Sequence, residues 1–406
     1  MANTNLTVDQ ITNHALMVLH QKLNFIGSIN RQYDDSYKNS GAKNGDSIRI
    51  KLPNQFTVRS GKTLNVQDVT QSSVTLQVAT QKGVDMNFSM KELTQDITLF
   101  SENYIEPAMS VLAANIESDA MSMYKDVSQE VSDVGATASL ALILKMNKEL
   151  TNSLVPYGQR CLNLDPTANV DLISALSGFY NPSGNIDKQY KEGLVANQFA
   201  GFKEVYENTL WPIHTTGTDD GTGDYLVNMA AGVTEGATTV TVDTGAGTWK
   251  KGDIFYFDGI NSVHPETKVS TGVPKRFVIT ADAGASATSL SFSPAIYAAG
   301  AKQNVVSLPA NNVALYKREI DGSTAIGNAA DYRVCMGYHK DAFAFATADL
   351  EKPEGVHFAA RKVLDGISMR IVRAYDINND NMPCRIDVLY GYKTIREGLA
   401  CRGGFN

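Results

Sequence analysis

Residues 101–127, SENYIEPAMSVLAANIESDAMSMYKDV, carry the helical pattern around which the rest of the chain is organised. Apolar residues recur there at spacings of three and four, which places them on one stripe of a helix. The stripe consists of Ile105, Ala108, Met109, Leu112, Ile116, Ala120, Met123 and Val127. The polar residues between them, Glu117 included, are predicted on the other faces. Pro107 fits only near the first turn, so the helix should begin around residues 104–106. We interpret the stripe as core.

The bulk composition predicts a folded protein of two or three domains. The chain has 406 residues, of which 43% are hydrophobic and 19% charged, enough apolar surface for sizeable cores. We expect no membrane-spanning segment, because no apolar run is long enough, and no signal peptide at residues 1–21. The net charge of −7 argues against tight nucleic-acid binding. The four cysteines form no CxxC pair and are predicted to be reduced.

Residues 46–88 change to the alternation of strands, and a polar stretch separates the alternating segments. The alternating residues are Ile48, Ile50 and Leu52, then Val74, Leu76 and Val78, then Val84, Met86 and Phe88. The stretch between them contains Phe56, Val58, Leu64 and Val66, none of which has a local apolar partner. This pattern predicts a long two-stranded ribbon that lies on a neighbouring surface. Residues 8–23 predict an amphipathic helix with the same need for a partner.

A composition change divides the rest of the chain. Residues 136–214 alternate strand and helix signals, whereas residues 215–330 are rich in Gly, Thr, Ala and Asp and predict several short strands. The predicted strands are 225–228, 238–242, 254–257, 276–280, 290–292 and 305–308. The pairs expected to face the interior of a small barrel or sandwich are Val240/Val242, Ile254/Tyr256, Phe277/Ile279 and Leu290/Phe292. Gly252-Asp253 and Asp258-Gly259 are predicted turns on either side of one strand.

No catalytic, cofactor or metal motif is present in the sequence. HExxH, GxSxG, Walker and GxGxxG patterns are absent. Asp376, Asn378 and Asp380 only partly match a calcium loop, and a turn is the better interpretation. Asp219, Asp220 and Asp224 are interpreted as part of a solvated glycine-rich loop. His214, His264, His339 and His357 have no partner at a telling local spacing. We therefore predict a protein that is not an enzyme and that holds no cofactor.

Two stretches resemble the coat proteins of short-tailed phages of the P-twenty-two type. The first is FAGFKEVYENTLWPIH at residues 199–214, followed by WKKGDIFYFDGINSVHPETK and KRFVIT. In that family a GF-x-x-V segment leads into an inserted domain, which contains a K-x-GD-x-x-x-F-x-G turn. The second is SMRIVRAYDINNDNMPCRIDVLYGYKTIREGLACR at residues 368–402, which looks like the closing strands of the same coats. The order of arm, ribbon, long helix and insertion also fits.

The resemblance implies an α+β protein with the HK97-like phage capsid fold and an inserted antiparallel β-barrel domain. Its parts would be the N-arm (1–45), the E-loop (46–88), the peripheral domain with the spine helix (89–135), the first part of the axial domain (136–214), the inserted barrel (215–330), and the return to the axial and peripheral domains (331–406). Phe56, Val58, Leu64 and Val66 would then be contacts between subunits.

The same resemblance implies a function and partners. The chain would be the major capsid protein of a tailed bacteriophage, self-assembling as hexamers and pentamers into the icosahedral shell around double-stranded DNA. A scaffolding protein and a portal protein would be partners, the DNA would be touched only weakly and non-specifically, and no membrane would be involved. Assembly in the host cytoplasm would place the chain in the virion capsid.

Two alternatives from other classes remain open on the sequence. A carbohydrate-binding or adhesive module could use Trp211, Trp249, Phe255, Tyr256 and Phe257, provided that these rings are exposed. A hydrolase could assemble its site from residues that are distant in the sequence.

Overall fold

The computed structural model describes residues 23–31, 47–59, 61–64, 66, 71–89, 106–176, 199–218, 225–317, 331–356, 358–364, 367–379 and 381–406. The predicted helix at 8–23, the aspartates 219, 220 and 224, and His357 lie wholly or almost wholly outside these residues. The chain divides into two compact units. The first is built from the described parts of 1–50, 73–121 and 343–395, and the second from those of 51–72, 122–342 and 396–406. Helices and sheets occur in both, which confirms the mixed α+β class.

The elements in chain order begin with α1 (Asn24–Ser28), β1 (Ser47–Lys51), β2 (Ser73–Gln77), β3 (Thr80–Ser89), α2 (Glu106–Met121), β4 (Glu130–Asp133), α3 (Leu140–Asn152), β5 (Arg160–Leu164), α4 (Pro166–Leu176), β6 (Glu204–Glu207) and β7 (Ile213–Thr215). They continue with β8 (Tyr225–Val227), β9 (Thr239–Asp243), β10 (Ile254–Val263), β11 (Ser270–Ile279), β12 (Ser289–Ser293) and β13 (Ala314–Tyr316). They end with β14 (Asp331–His339), β15 (Phe343–Ala348), β16 (Phe358–Leu364), β17 (Ile367–Arg373), β18 (Asn381–Thr394) and β19 (Ala400–Phe405). Among the described helices, none has both the length and the apolar character that a membrane crossing requires.

Helix α2 buries its predicted stripe. Met109, Leu112, Ile116 and Ala120 are at most 2% exposed, so the helical spacing identified the core face correctly. Glu117, predicted on another face of the helix, is also fully buried. The Glu117 carboxylate accepts hydrogen bonds from the backbone N–H groups at the start of α1, which satisfies donors that a helix end leaves unpaired.

A five-stranded sheet lies in the first unit. Its path is β15-β18-β17-β16, and β3 pairs with β18 along Asn381–Tyr390. The ribbon predicted for residues 46–88 is therefore shorter than expected: β1 and β2 form a two-stranded sheet, while β3 joins the larger sheet instead. The physical reason is that β3 finds a long strand of complementary alternation in β18, whose Ile386 and Val388 are buried.

The six-stranded sheet of the second unit has the path β4-β19-β14-β5-β6, and β7 also pairs with β14. Helix α3 begins after Ser139, whose hydroxyl accepts a hydrogen bond from Leu142 N at 3.2 Å. Helix α4 begins at Pro166, and Asp165 accepts a hydrogen bond from Thr167 N at 3.0 Å, as its position before proline predicts. Strand β14 lies inside this sheet and is buried along nearly its whole length.

Between β7 and β14 the chain forms a closed antiparallel barrel with the order β10-β11-β12-β9-β8-β13. The predicted barrel is confirmed, and five of its strands lie where the alternation placed them. The sixth does not: residues 305–308 form only an isolated bridge through Val305, and β13 closes the barrel instead. Asp258-Gly259 is not a turn either. It lies inside β10, where Gly259 has a φ of +70° beside a β-bulge, so the strand bends and continues.

The face predicted for β10 was also wrong. Phe255 and Phe257 are fully buried in the barrel interior, whereas Ile254 and Tyr256 lie on the other face and are partly exposed. Because side chains alternate along a strand, an error of one residue moves every side chain to the opposite face. The run IFYF is apolar throughout, so the alternation contained no information about which face points inward.

Candidate functional site: an exposed loop and a buried ionic cluster

The polar stretch between β1 and β2 exposes the four apolar side chains that the sequence singled out. Phe56 is 61% exposed, Val58 95%, Leu64 77% and Val66 77%. No regular secondary structure is formed by the described residues of this stretch, which we call the extended loop (residues 52–72). Its four large apolar side chains are therefore presented to solvent rather than to a core formed by the loop itself.

Local hydrogen bonds give the extended loop a defined bend. Arg59 Nη1 donates to the carbonyl oxygen of Gly61 and, at 3.1 Å, to that of Thr63. The loop closes at its base, where Leu52 N donates to Ser72 O at 2.9 Å. The Arg59 side chain and the closed base thus shape the loop locally.

The two strands that flank the loop contrast with it. Ile50, Leu76 and Val78 are at most 5% exposed and pack with Ala344 and Ala346 of β15. The apolar residues of the strands are thus buried against other parts of the chain, whereas the four apolar residues of the extended loop are exposed.

A second cluster of functional groups is buried at the junction of the barrel with the six-stranded sheet. Its centre is the fully buried carboxylate of Asp253. Asp253 Oδ1 lies 3.1 Å from Nε2 of His214, and Oδ2 lies 2.8 Å from Nζ of Lys317. Oδ2 also accepts hydrogen bonds from the backbone N–H groups of Gly217 at 3.0 Å and Lys250 at 2.9 Å. The carboxylate is fully satisfied, as a buried charge must be.

The groups around Asp253 are satisfied as well. Lys317 Nζ donates to Thr248 O at 2.9 Å and lies 4.5 Å from the centre of the Trp249 ring. His214 Nδ1 lies 3.0 Å from the hydroxyl of Tyr124. The hydroxyl of Tyr124 can donate to Nδ1, and the N–H group at Nε2 can donate to Asp253.

A second ion pair lies next to this one. Arg402 Nε lies 2.5 Å from Glu130 Oε2, and both side chains are almost completely buried. Tyr332 donates to the same carboxylate at 3.3 Å, and its ring centre lies 5.2 Å from that of His214. Arg402 Nη2 donates to Gly252 O at 2.5 Å, which connects β19 directly to the turn that carries Asp253.

The pKa values follow from this environment. Burial on its own raises the pKa of Asp253, but the hydrogen bond from His214 and the charge of Lys317 outweigh it and lower the pKa below its ordinary value. Burial raises the pKa of Tyr124 to about 12, so this phenol stays protonated and can donate. Burial on its own lowers the pKa of Arg402, but Glu130, Tyr332, Tyr124 and Asp253 together outweigh it and raise the pKa above its ordinary value. The lowered pKa of Asp253 and the raised pKa of Arg402 both favour the charged forms of these two side chains.

The sequence prediction missed this cluster. Asp253 was predicted as a turn residue, and His214 was noted only for having no partner at a telling local spacing. The two residues lie 39 positions apart in sequence and are in contact in space. The only available signal was the type of residue: an Asp directly before an apolar strand and a His on a short strand. Neither the spacing of these residues nor the periodicity of the sequence could predict that they are in contact.

The other candidate residues have structural roles. Trp249, Phe255 and Phe257 lie in the barrel core, and Trp211 is buried with its indole N–H donating to Asn163 at 2.8 Å, so these rings do not form an exposed sugar platform. Asp376 accepts hydrogen bonds from Asn378 and Asn379 within one turn. In the described part of the chain, no group of His, Cys, Asp and Glu side chains could hold a metal ion.

Among the described residues, His264 has a local role, and the cysteines lie in the core. His264 accepts hydrogen bonds from the next turn of its own hairpin, at Glu266 and Thr267. All four cysteines are buried and unpaired. Burial raises the pKa of Cys161 and of Cys335 to about 12, which keeps these thiols protonated and unreactive.

Comparison with known proteins gives a family match over nearly the whole chain. Residues 1–401 match the model described as P22 coat protein, gene protein 5. No curated protein matches the chain.

Solved structures of other phages show weaker likenesses. A structure from Mycobacterium phage Che8 is 11% identical, with 93% of this chain and 89% of that chain covered and a TM-score of 0.47. A capsid structure of cyanophage P-SCSP1u is 9% identical, with 89% and 84% covered and a TM-score of 0.45. A mature capsid structure of bacteriophage PhiM1 is 10% identical, with 89% and 82% covered and a TM-score of 0.44. The family match over residues 1–401 therefore decides the assignment.

Proposed function

The chain belongs to the P22 coat protein family, and from this membership we propose how it builds a shell. It is a major capsid protein, a structural protein of the bacteriophage capsid. We propose that its copies form a closed icosahedral shell of hexamers and pentamers around the double-stranded DNA of a tailed phage. The subunit in this proposal has the HK97-like architecture and no enzymatic activity.

The parts of the proposed subunit follow the sequence divisions. Residues 1–45 are the N-arm, 46–88 the E-loop, 89–135 the peripheral domain with α2 as spine helix, 136–214 the first part of the axial domain, 215–330 the inserted barrel, and 331–406 the return to the axial and peripheral domains. The near-complete burial of the α2 stripe supports a spine role, because such a helix must hold the elements that pack along it.

The exposure of Phe56, Val58, Leu64 and Val66 is the observation that carries the proposal of contacts between subunits. Burying one such side chain stabilises a contact by about 1.5–3 kcal/mol. Four of them on one loop can hold a neighbouring copy, and a closed shell repeats that contact at every subunit. Contacts that are modest one by one then add up through multivalency.

Other partners follow from the family rather than from particular residues. We propose that a scaffolding protein and a portal protein take part in assembly in the host cytoplasm. The net charge of −7 supports only weak, non-specific contact with the packaged DNA, because tight phosphate binding needs a basic surface.

The proposal is tested by assembly of Val58→Asp and Val58→Ile variants with a candidate scaffolding protein supplied. Val58 is 95% exposed, so neither change should alter the far-ultraviolet circular dichroism or the unfolding midpoint of the subunit. We expect shells from the wild type and from Val58→Ile in sedimentation and negative-stain images. Val58→Asp should give mainly unassembled subunits, because a charge cannot be buried at the contact without a partner.

Two results would contradict the proposal in different ways. If Val58→Asp and a variant with all four apolar residues changed to Ser both formed normal shells, the extended loop would not be a contact between subunits. Monomers or small closed oligomers of the wild type under every condition would reject the icosahedral shell itself.

A further inference from the structure

The barrel is attached to the six-stranded sheet by two neighbouring connections. The chain leaves the sheet through β7 and returns through β14, and these strands pair with each other, with Thr215 opposite Asp331. The hydroxyl of Thr215 donates to Asp331 at 2.5 Å. If these two adjacent strands were the only link, they would form a hinge. The barrel could then rotate relative to the sheet about the strand direction without breaking any contact within the barrel.

Asp253 bonds at once to the incoming connection and to the residue at which the outgoing connection starts. His214 of β7 and the N–H of Gly217 belong to the incoming connection, and Lys317, directly after β13, belongs to the outgoing one. The chain is closely packed beside Asp253, because a Cβ atom added to Gly217 would lie only 2.0 Å from Thr248 O. One barrel carboxylate therefore holds β7 and the end of β13 in a single relative position.

The turn that carries Asp253 is also bonded to the sheet beneath it. Gly252 O accepts a hydrogen bond from Arg402 of β19, and Arg402 is itself paired with Glu130 of β4. Further polar contacts near this turn join the barrel to residues outside it. They are Lys251 with Asp126 at 3.9 Å, Arg276 with Glu149 at 3.9 Å, and Ser293 with Glu397 at 3.3 Å.

An ionic junction has a consequence that an apolar one lacks. Apolar surfaces can slide with little loss, because the hydrophobic effect is non-directional. A buried carboxylate that accepts four hydrogen bonds has one low-energy geometry, and any displacement leaves a charge buried without a partner. The junction therefore specifies an orientation as well as supplying attraction.

We propose that Asp253 is a clamp that joins the barrel and the six-stranded sheet into one rigid body. The barrel is then carried at a fixed angle on this sheet and is not a mobile appendage. If the subunit rearranges within a shell, the movement occurs outside this body, a consequence that rests on the proposed function. The clamp itself is a property of the single subunit and can be tested without assembly.

The test measures a distance distribution between two spin labels by pulsed electron paramagnetic resonance. Val269→Cys on the barrel and Val170→Cys on α4 replace side chains that are 65% and 64% exposed, and all four native thiols are buried. Labelled unassembled full-length subunits should give one narrow distribution. In Asp253→Asn/Lys317→Met, which removes both charges of the pair, the width should at least double. Asp258→Asn, an exposed change of the same kind on β10, should leave the width unchanged.

A cooperative urea unfolding transition, followed by far-ultraviolet circular dichroism, verifies that the subunit of each variant is folded. A narrow distribution in the folded double variant would overturn the proposal, as would a broad distribution in the wild type. If the double variant does not fold, His214→Leu and His214→Gln decide the matter. Leu removes the hydrogen bond to Asp253 and should broaden the distribution, while Gln can restore an N–H donor and should narrow it again. Equal widths in these two variants would reject the clamp.

Discussion

Replacement of Phe277 by Ala tests whether the barrel has a close-packed core of its own. The Phe277 side chain is fully buried, and its ring centre lies 5.2 Å from that of Phe292, 5.5 Å from Phe257 and 5.7 Å from Phe255. A buried Phe→Ala change costs about 3–5 kcal/mol in unfolding free energy. The closed strand order prevents the wall from collapsing into the cavity, so we expect the upper half of this range.

The measurement is urea unfolding of the full-length subunit, followed by near- and far-ultraviolet circular dichroism. Phe56→Ala is the matched control, because it makes the same chemical change at a side chain that is 61% exposed. The control should change the unfolding free energy by less than about 0.5 kcal/mol. A loss below about 1 kcal/mol in Phe277→Ala would refute the close-packed core. A large loss in Phe56→Ala would show that the extended loop packs within its own subunit.

Three further changes have directions that follow from single contacts. Glu117→Gln should cost about 1–3 kcal/mol in chemical denaturation, because the buried carboxylate caps two N–H groups of α1. Gly217→Ala should prevent normal folding, because the added Cβ atom would overlap the backbone oxygen of Thr248, and the near-ultraviolet circular dichroism signal should be lost. Gly284→Ala should be nearly neutral, because no atom lies within 4 Å of the position of its added Cβ. Burial raises the pKa of Glu397 from 4.5 to about 7, so the folded state holds a proton that the unfolded state releases between these values. Stability should therefore fall by about 2–3 kcal/mol as pH rises from 4.5 to 7, and thermal melts of Glu397→Gln should lack this slope.

The positions of many elements could be predicted from the sequence because local rules decide them. The three- and four-residue spacing identified the buried face of α2, and Asp165-Pro166 marked the start of α4. Val240, Val242, Leu290 and Phe292 alternate with polar residues and all point into the barrel. In each case the pattern repeats within a few residues, so the neighbouring sequence contains the whole signal.

The same local rules failed where the pattern was uniform or where a partner was remote. The run around Phe255 and Phe257 is apolar on both faces, so only the packed barrel decides which pair lies inside. Glu117 occupies a predicted polar face, but the start of α1 is placed over it, and the carboxylate is buried as a cap. A single chain position cannot carry information about an element that is 92 residues away in sequence.

The candidate sites divide in the same way. The exposed residues of the extended loop were found from the sequence, because an apolar side chain without apolar neighbours in its own segment must find them elsewhere or remain in solvent. The clamp was not found, because Asp253, His214 and Lys317 come from a turn and two connections that only the closing of the barrel brings together. Periodicity located five of the six barrel strands. The tertiary structure alone decided which charges meet, since a buried ion pair depends on positions in space that no local spacing encodes.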